Sequence, residues 1–89
     1  MKTIRLTVRG KVQGVYFRAS AKNVADQLRI TGWIKNLPDN NVEIKATSSE
    51  ELLQQFIGWC KQGPPGAIVD EVIIEDLLTE PFTGLRIMR

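Results

Sequence analysis

Two stretches of helical period, each set between stretches of strand period, most restrict the fold of this 89-residue chain. Ile4, Leu6 and Val8 alternate with Thr3, Arg5, Thr7 and Arg9, the pattern of a half-buried strand. Phe17, Ala21, Val24 and Leu28 then recur at spacings of four, three and four, with Ala25 alongside. That predicts an amphipathic helix from about Phe17 to Ile30, with Gly32 as its stop. A second strand is expected from about Gly32 to Leu37, then a turn at Pro38-Asp39-Asn40-Asn41. A third strand places Val42, Ile44 and Ala46 on one face. Ser48 and Glu51 read as a capping box for a second helix that buries Leu52, Leu53, Phe56, Ile57 and Cys60. Gly63-Pro64-Pro65-Gly66 ends it, since proline cannot continue a helix. A fourth strand covers about Ala67 to Leu77, and a short last one about Thr83 to Met88.

This order predicts an α+β fold: a ferredoxin-like βαββαβ sandwich. It has an antiparallel sheet of four strands plus a short C-terminal fifth, with two helices on one face. In that topology the first and second strands run parallel with another between them, so their C-terminal ends share one edge. The stretch after strand one thereby meets Asn36, at the end of strand two. Residues 1–89 form one expected domain, undivided by linker, repeat or low-complexity tract.

With 43% hydrophobic residues and both charge signs mixed, the chain is globular rather than disordered. No apolar run approaches the ~20 residues that span a bilayer, so no membrane partner is expected. Met1-Lys2-Thr3-Ile4-Arg5 alternates polar and apolar, unlike a signal peptide. One cysteine, Cys60, excludes an intramolecular disulfide, and a cytoplasmic location is expected. The chain has no histidine, which removes Ser-His and Cys-His pairs and an imidazole base. The carboxylates show no metal-ligand spacing, and neither metal nor other cofactor is expected. Any catalysis must therefore come from Arg, Lys, Asn, Gln, carboxylates and backbone dipoles.

The stretch Gly10-Lys11-Val12-Gln13-Gly14-Val15-Tyr16-Phe17-Arg18 joins strand one to helix one. Its two glycines let backbone N–H groups turn inward and approach a ligand. The helix points its positive end at the same place, and Arg18 adds a planar five-donor fork. Together these suit an oxyanion. The overall net charge of +2 divides into +7 over residues 1–36 and −5 over residues 37–89. The basic half would draw a small anion towards the loop, unless the two halves are only differently charged solvated surfaces. An Arg in a first turn could equally be an ordinary solvated side chain. Asn36 could bond to the neighbouring turn, or its amide could both accept from and donate to one water.

Gly10, Val12, Gln13, Gly14, Val15, Phe17 and Arg18 resemble the signature loop of the acylphosphatases. The resemblance continues at Gly32-Trp33-Ile34-Lys35-Asn36, at Asp39-Asn40-Asn41-Val42-Glu43 and at Gly63-Pro64-Pro65, in the family's order and spacing. It implies hydrolysis of the carboxyl–phosphate bond of acyl phosphates to carboxylate and inorganic phosphate. It also implies that Arg18 binds the substrate phosphate and Asn36 orients the attacking water. The loop Val12, Gln13, Gly14, Val15, Tyr16, Phe17 and Arg18 would surround the phosphoryl group. The family's usual Asp-Gly turn stands here as Asn40-Asn41, and Arg86-Ile87-Met88-Arg89 is similar to its basic, apolar C-terminus. A free-standing monomer is expected, although the same domain opens larger proteins that handle carbamoyl phosphate in hydrogenase maturation.

Two other functions fit parts of the pattern. A phosphate or acyl phosphate sensor would keep the loop, but has no use for a water-positioning Asn36. An RNA-binding sheet would present aromatics with Lys or Arg on its strands, and strands one and three offer no aromatic residue. No nucleic-acid partner is therefore expected. Nothing in the sequence defines a pocket for the acyl group.

Overall fold

A computed structural model describes residues 1–88. Its elements follow the expected order: β1 (Lys2–Lys11), α1 (Phe17–Gln27), β2 (Thr31–Asn36), β3 (Val42–Ser48), α2 (Glu50–Gln62), β4 (Ile68–Leu77) and β5 (Leu85–Ile87). Arg89, the last residue of the family-like C-terminus, lies outside the described residues. The strands lie in the order β4-β1-β3-β2-β5. β1 is antiparallel to β3 and β4, and β2 is antiparallel to β3. β5 joins β2 in parallel, so the short fifth strand makes the sheet mixed.

The alternation of the strands sends Ile4, Leu6, Val8, Ile34, Val42, Ile44 and Ala46 into one core with Phe17, Ala21, Ala25, Leu53, Phe56 and Cys60 of the helices. Trp59 of α2 packs at 5.3 Å from the ring of Phe17 and 6.4 Å from that of Phe56. Those contacts seat the first residue of α1 against α2, and they make Trp59 a packing residue. The connection from β4 to β5 must reach the far edge of the sheet. It is tied to β1 and β3 at Glu80, whose N–H donates to Thr3 Oγ1 (2.8 Å) and whose carbonyl accepts from Thr47 Oγ1 (2.8 Å). Thr3 and Thr47 are buried and share a hydroxyl bond of 2.6 Å.

Five local expectations change. α1 ends at Gln27 and not near Ile30, because Arg29 turns left-handed at φ 57°. Its N–H reaches the Asp26 carbonyl while that of buried Ile30 reaches Ala25, the paired bonds of a Schellman stop. Gly32, expected as the stop, lies inside β2. The cap of α2 is Ser49 rather than Ser48: its side chain accepts from Leu52 N–H, while Ser48 closes β3. Leu52 is only half-buried. Gly10 belongs to β1, at a register shift against β4, where a Cβ would collide with the Ile68 carbonyl. It permits a close strand approach, and the loop proper begins at Val12.

The charge asymmetry is largely cancelled by strand pairing. Lys2 pairs with Glu50 and Asp76, Arg5 with Glu43 and Glu75, Arg9 with Glu71, and Lys35 with Glu43. The acidic half lies against the basic half, so the +7 stretch is no broad attractor. Trp33 stands beside Lys35, whose ammonium lies 5.1 Å from its ring.

Candidate active site

Val42 of β3 pairs with Val8 on one side and Asn36 on the other. The ends of β1 and β2 are thus level, with one strand between them. Asn36 stands two residues beyond core residue Ile34, hence on the same face of the sheet. A position whose parity calls for an apolar residue holds an amide, at the end of the sheet where α1 begins.

The loop between β1 and α1 is braced to this end by Gln13. Its Nε2 donates to the Leu37 carbonyl (2.9 Å) and to the Asn41 carbonyl (2.7 Å), on either side of the β2–β3 turn. Both bonds of the Gln13 side-chain amide nitrogen are thus made within the chain. The turn itself is closed by Leu37 N–H to the Asn41 carbonyl (2.8 Å) and Asn40 N–H to the Leu37 carbonyl (3.2 Å). Asn40 takes the left-handed position at φ 72°, so the pair equivalent to the usual Asp-Gly is Asp39-Asn40.

Two left-handed residues then turn the loop into the helix: Gly14 at φ 73° and Tyr16 at φ 61°. Tyr16 is the N-cap residue of α1, yet no side chain caps that helix and its first turn has no acidic residue. α2 is the internal contrast, with Ser49 as cap and Glu50 and Glu51 in its first turn. The first N–H groups of any helix lack internal partners and attract negative charge. In α2 the chain supplies that charge; in α1 it does not.

Arg18 sits in that uncapped turn. Among the described residues its guanidinium has no carboxylate partner, and its hydrogen bond is to the Met88 carbonyl at 3.4 Å. Met88 is held in turn by its N–H to the Ile34 carbonyl (2.7 Å), while Lys22 of α1 reaches the Leu85 carbonyl (3.1 Å). The C-terminal strand therefore forms one side of the site. Asn36 Oδ1 is buried with no hydrogen-bond partner among the described residues. An acceptor left so costs about 1–3 kcal/mol unless a donor arrives.

These groups meet in a cleft of about 400 Å³ lined by Val12, Gln13, Gly14, Tyr16, Phe17, Arg18, Ala19, Asn36 and Ile87. Of the residues expected at a phosphoryl group, only Val15 is outside the lining; it packs against the core. Ile87 and the Met88 carbonyl were not foreseen. The alternation of Leu85 and Ile87 marks a strand but not its parallel pairing beside Asn36. The lining contains no carboxylate, and among the described residues no three His, Cys, Asp or Glu side chains converge. Cys60 is buried in the core, where desolvation pushes its thiol up and keeps it un-ionised.

The acylphosphatase family model matches residues 4–87. The chain is 49% identical over 82 residues to an acylphosphatase of Marinobacter nauticus, covering 91% of this chain and 89% of that one. It is 40% identical over 90 residues to an acylphosphatase of Methylococcus capsulatus, covering 100% and 98%. The crystal structure of the acylphosphatase from Bacillus subtilis superposes with a TM-score of 0.97 at 34% identity, covering all of both chains. A family model matched over residues 4–87, with relatives 40% or more identical over nearly the whole of both chains, means that the chain belongs to the acylphosphatase family.

Proposed function

We propose that this chain is an acylphosphatase, hydrolysing the carboxyl–phosphate bond of acyl phosphates. The observation that carries the site is the pairing of an uncapped α1 N-terminus with Arg18, which has no carboxylate partner among the described residues. Backbone N–H groups of the loop from Val12 to Arg18 and the Arg18 fork take the phosphoryl oxygens. Asn36 holds the attacking water through its amide, whose oxygen lacks a partner among the described residues. Water adds to phosphorus, the bond from phosphorus to the acyl oxygen breaks, and carboxylate departs as a good leaving group. With no histidine in the chain and no carboxylate in the lining, the phosphoryl oxygens take the water's proton. Catalysis is then positioning plus charge stabilisation, without a metal.

The same reading takes residues 1–89 as one domain acting as a cytoplasmic monomer on a diffusible substrate. No helix of the described residues is long and apolar enough to cross a membrane. The test is hydrolysis of benzoyl phosphate in EDTA by wild type and Arg18→Ala. Turnover by the wild type and a loss on the order of 10³ in kcat/KM in the variant are expected. A folded wild type that binds phosphate without turning over benzoyl phosphate would favour a sensor.

A further inference from the structure

The charged residues of α1 are Arg18, Lys22 and Asp26, set at steps of four and therefore on one face of the helix. That face meets β5. Arg18 Nη1 donates to the Met88 carbonyl (3.4 Å), while Lys22 Nζ donates to the Leu85 carbonyl (3.1 Å) and pairs with Asp26 (2.9 Å). β5 is three residues long and lies at the edge of the sheet beside β2. Its bonds to β2 run from Gly32 N–H to the Gly84 carbonyl and from Met88 N–H to the Ile34 carbonyl. By strand alternation the Leu85 carbonyl points the other way, off the free edge, and there Lys22 meets it. A lysine and an aspartate one turn apart on a helix surface are commonplace and contribute little. A lysine that also ties the neighbouring edge strand to its own helix has a further task.

We infer that Lys22 is a positioning residue for Arg18: it holds β5 against α1, so that the Met88 carbonyl keeps the guanidinium turned to the cleft. The inference rests on the phosphoryl-binding role proposed for Arg18 and adds a residue, outside the loop, that sets it. The bond from Arg18 to Met88 is long, and its acceptor follows directly on the short strand β5. A shift of β5 therefore passes straight to the fork. Lys22 also engages Asp26, the only carboxylate of α1, which leaves the charge of Arg18 for an anion.

The test measures inorganic phosphate affinity and kcat/KM for benzoyl phosphate in Lys22→Met and Lys22→Arg, with folding checked by circular dichroism. Lys22→Met should weaken both roughly tenfold, as a small misplacement of a binding group does, and Lys22→Arg should stay within about twofold of wild type. In an Arg18→Ala background, Lys22→Met should change the residual kcat/KM by no more than about twofold, because the group it positions is gone. An equal loss in both backgrounds would mean that Lys22 acts on the anion by its own charge. Full phosphate affinity and turnover in Lys22→Met would mean that β5 needs no tie. Either result overturns the inference. A wild type that binds phosphate without hydrolysing benzoyl phosphate overturns the hydrolase reading alone, and the phosphate affinities of Lys22→Met and Lys22→Arg then decide this one.

Discussion

Gln13 Nε2 lies 2.7 Å from the Asn41 carbonyl, and with the Leu37 carbonyl at 2.9 Å it ties the loop before α1 to the turn after β2. One amide thereby sets the spacing between the two halves of the site, Arg18 on the helix and Asn36 on the strand.

Breaking that tie should lower turnover more than substrate affinity. Gln13→Ala is expected to reduce kcat by on the order of 10²-fold, as small misplacements of reacting groups do. Gln13→Glu would set an ionised carboxylate against two carbonyl oxygens. Its kcat should rise as pH falls, since the protonated acid regains one donor. Steady-state kinetics across pH measure both, and a wild-type kcat in Gln13→Ala would remove the brace from the mechanism.

The β2–β3 turn gives a stability prediction. Asn40→Ala keeps the left-handed φ of 72° without the local bonding of an Asn side chain, and should cost about 1 kcal/mol. Asn40→Gly should carry no such cost. Urea unfolding of the two variants decides it; equal midpoints would mean that the turn relaxes.

Cys60 supplies a pH dependence. Burial raises its thiol above the ordinary 9.0, so the folded chain keeps a proton that the unfolded chain releases. This contribution is fully present below about pH 9 and declines above it, by at most about 1.4 kcal/mol per pH unit. Cys60→Ala should flatten that part of the alkaline loss. Parallel declines in both proteins would show that other groups dominate.

Much of this was legible in the sequence. The alternation of Ile4, Leu6 and Val8 and the spacing of Phe17, Ala21 and Ala25 are direct consequences of burying one face. The loop and Arg18 stood out because glycines and a helix start suit an anion. Element ends were less legible. Arg29 stops α1 through a left-handed backbone that a non-glycine residue does not announce, and Ser48 and Ser49 compete for one cap. Ile87 and Met88 depend on β5 crossing the sheet to pair beside β2, a long-range event without a local signal. The brace of Gln13 was hidden likewise, since its partners are carbonyls 24 and 28 residues away.

The central claim divides two roles between two residues, and one comparison tests the division. Inorganic phosphate affinity and kcat would be measured together, in EDTA, for Arg18→Ala and Asn36→Ala. Arg18→Ala should lose phosphate affinity along with turnover. Asn36→Ala should retain phosphate affinity within about twofold while kcat falls by on the order of 10²-fold or more. Near wild-type turnover in Asn36→Ala, or unchanged phosphate affinity in Arg18→Ala, would contradict it.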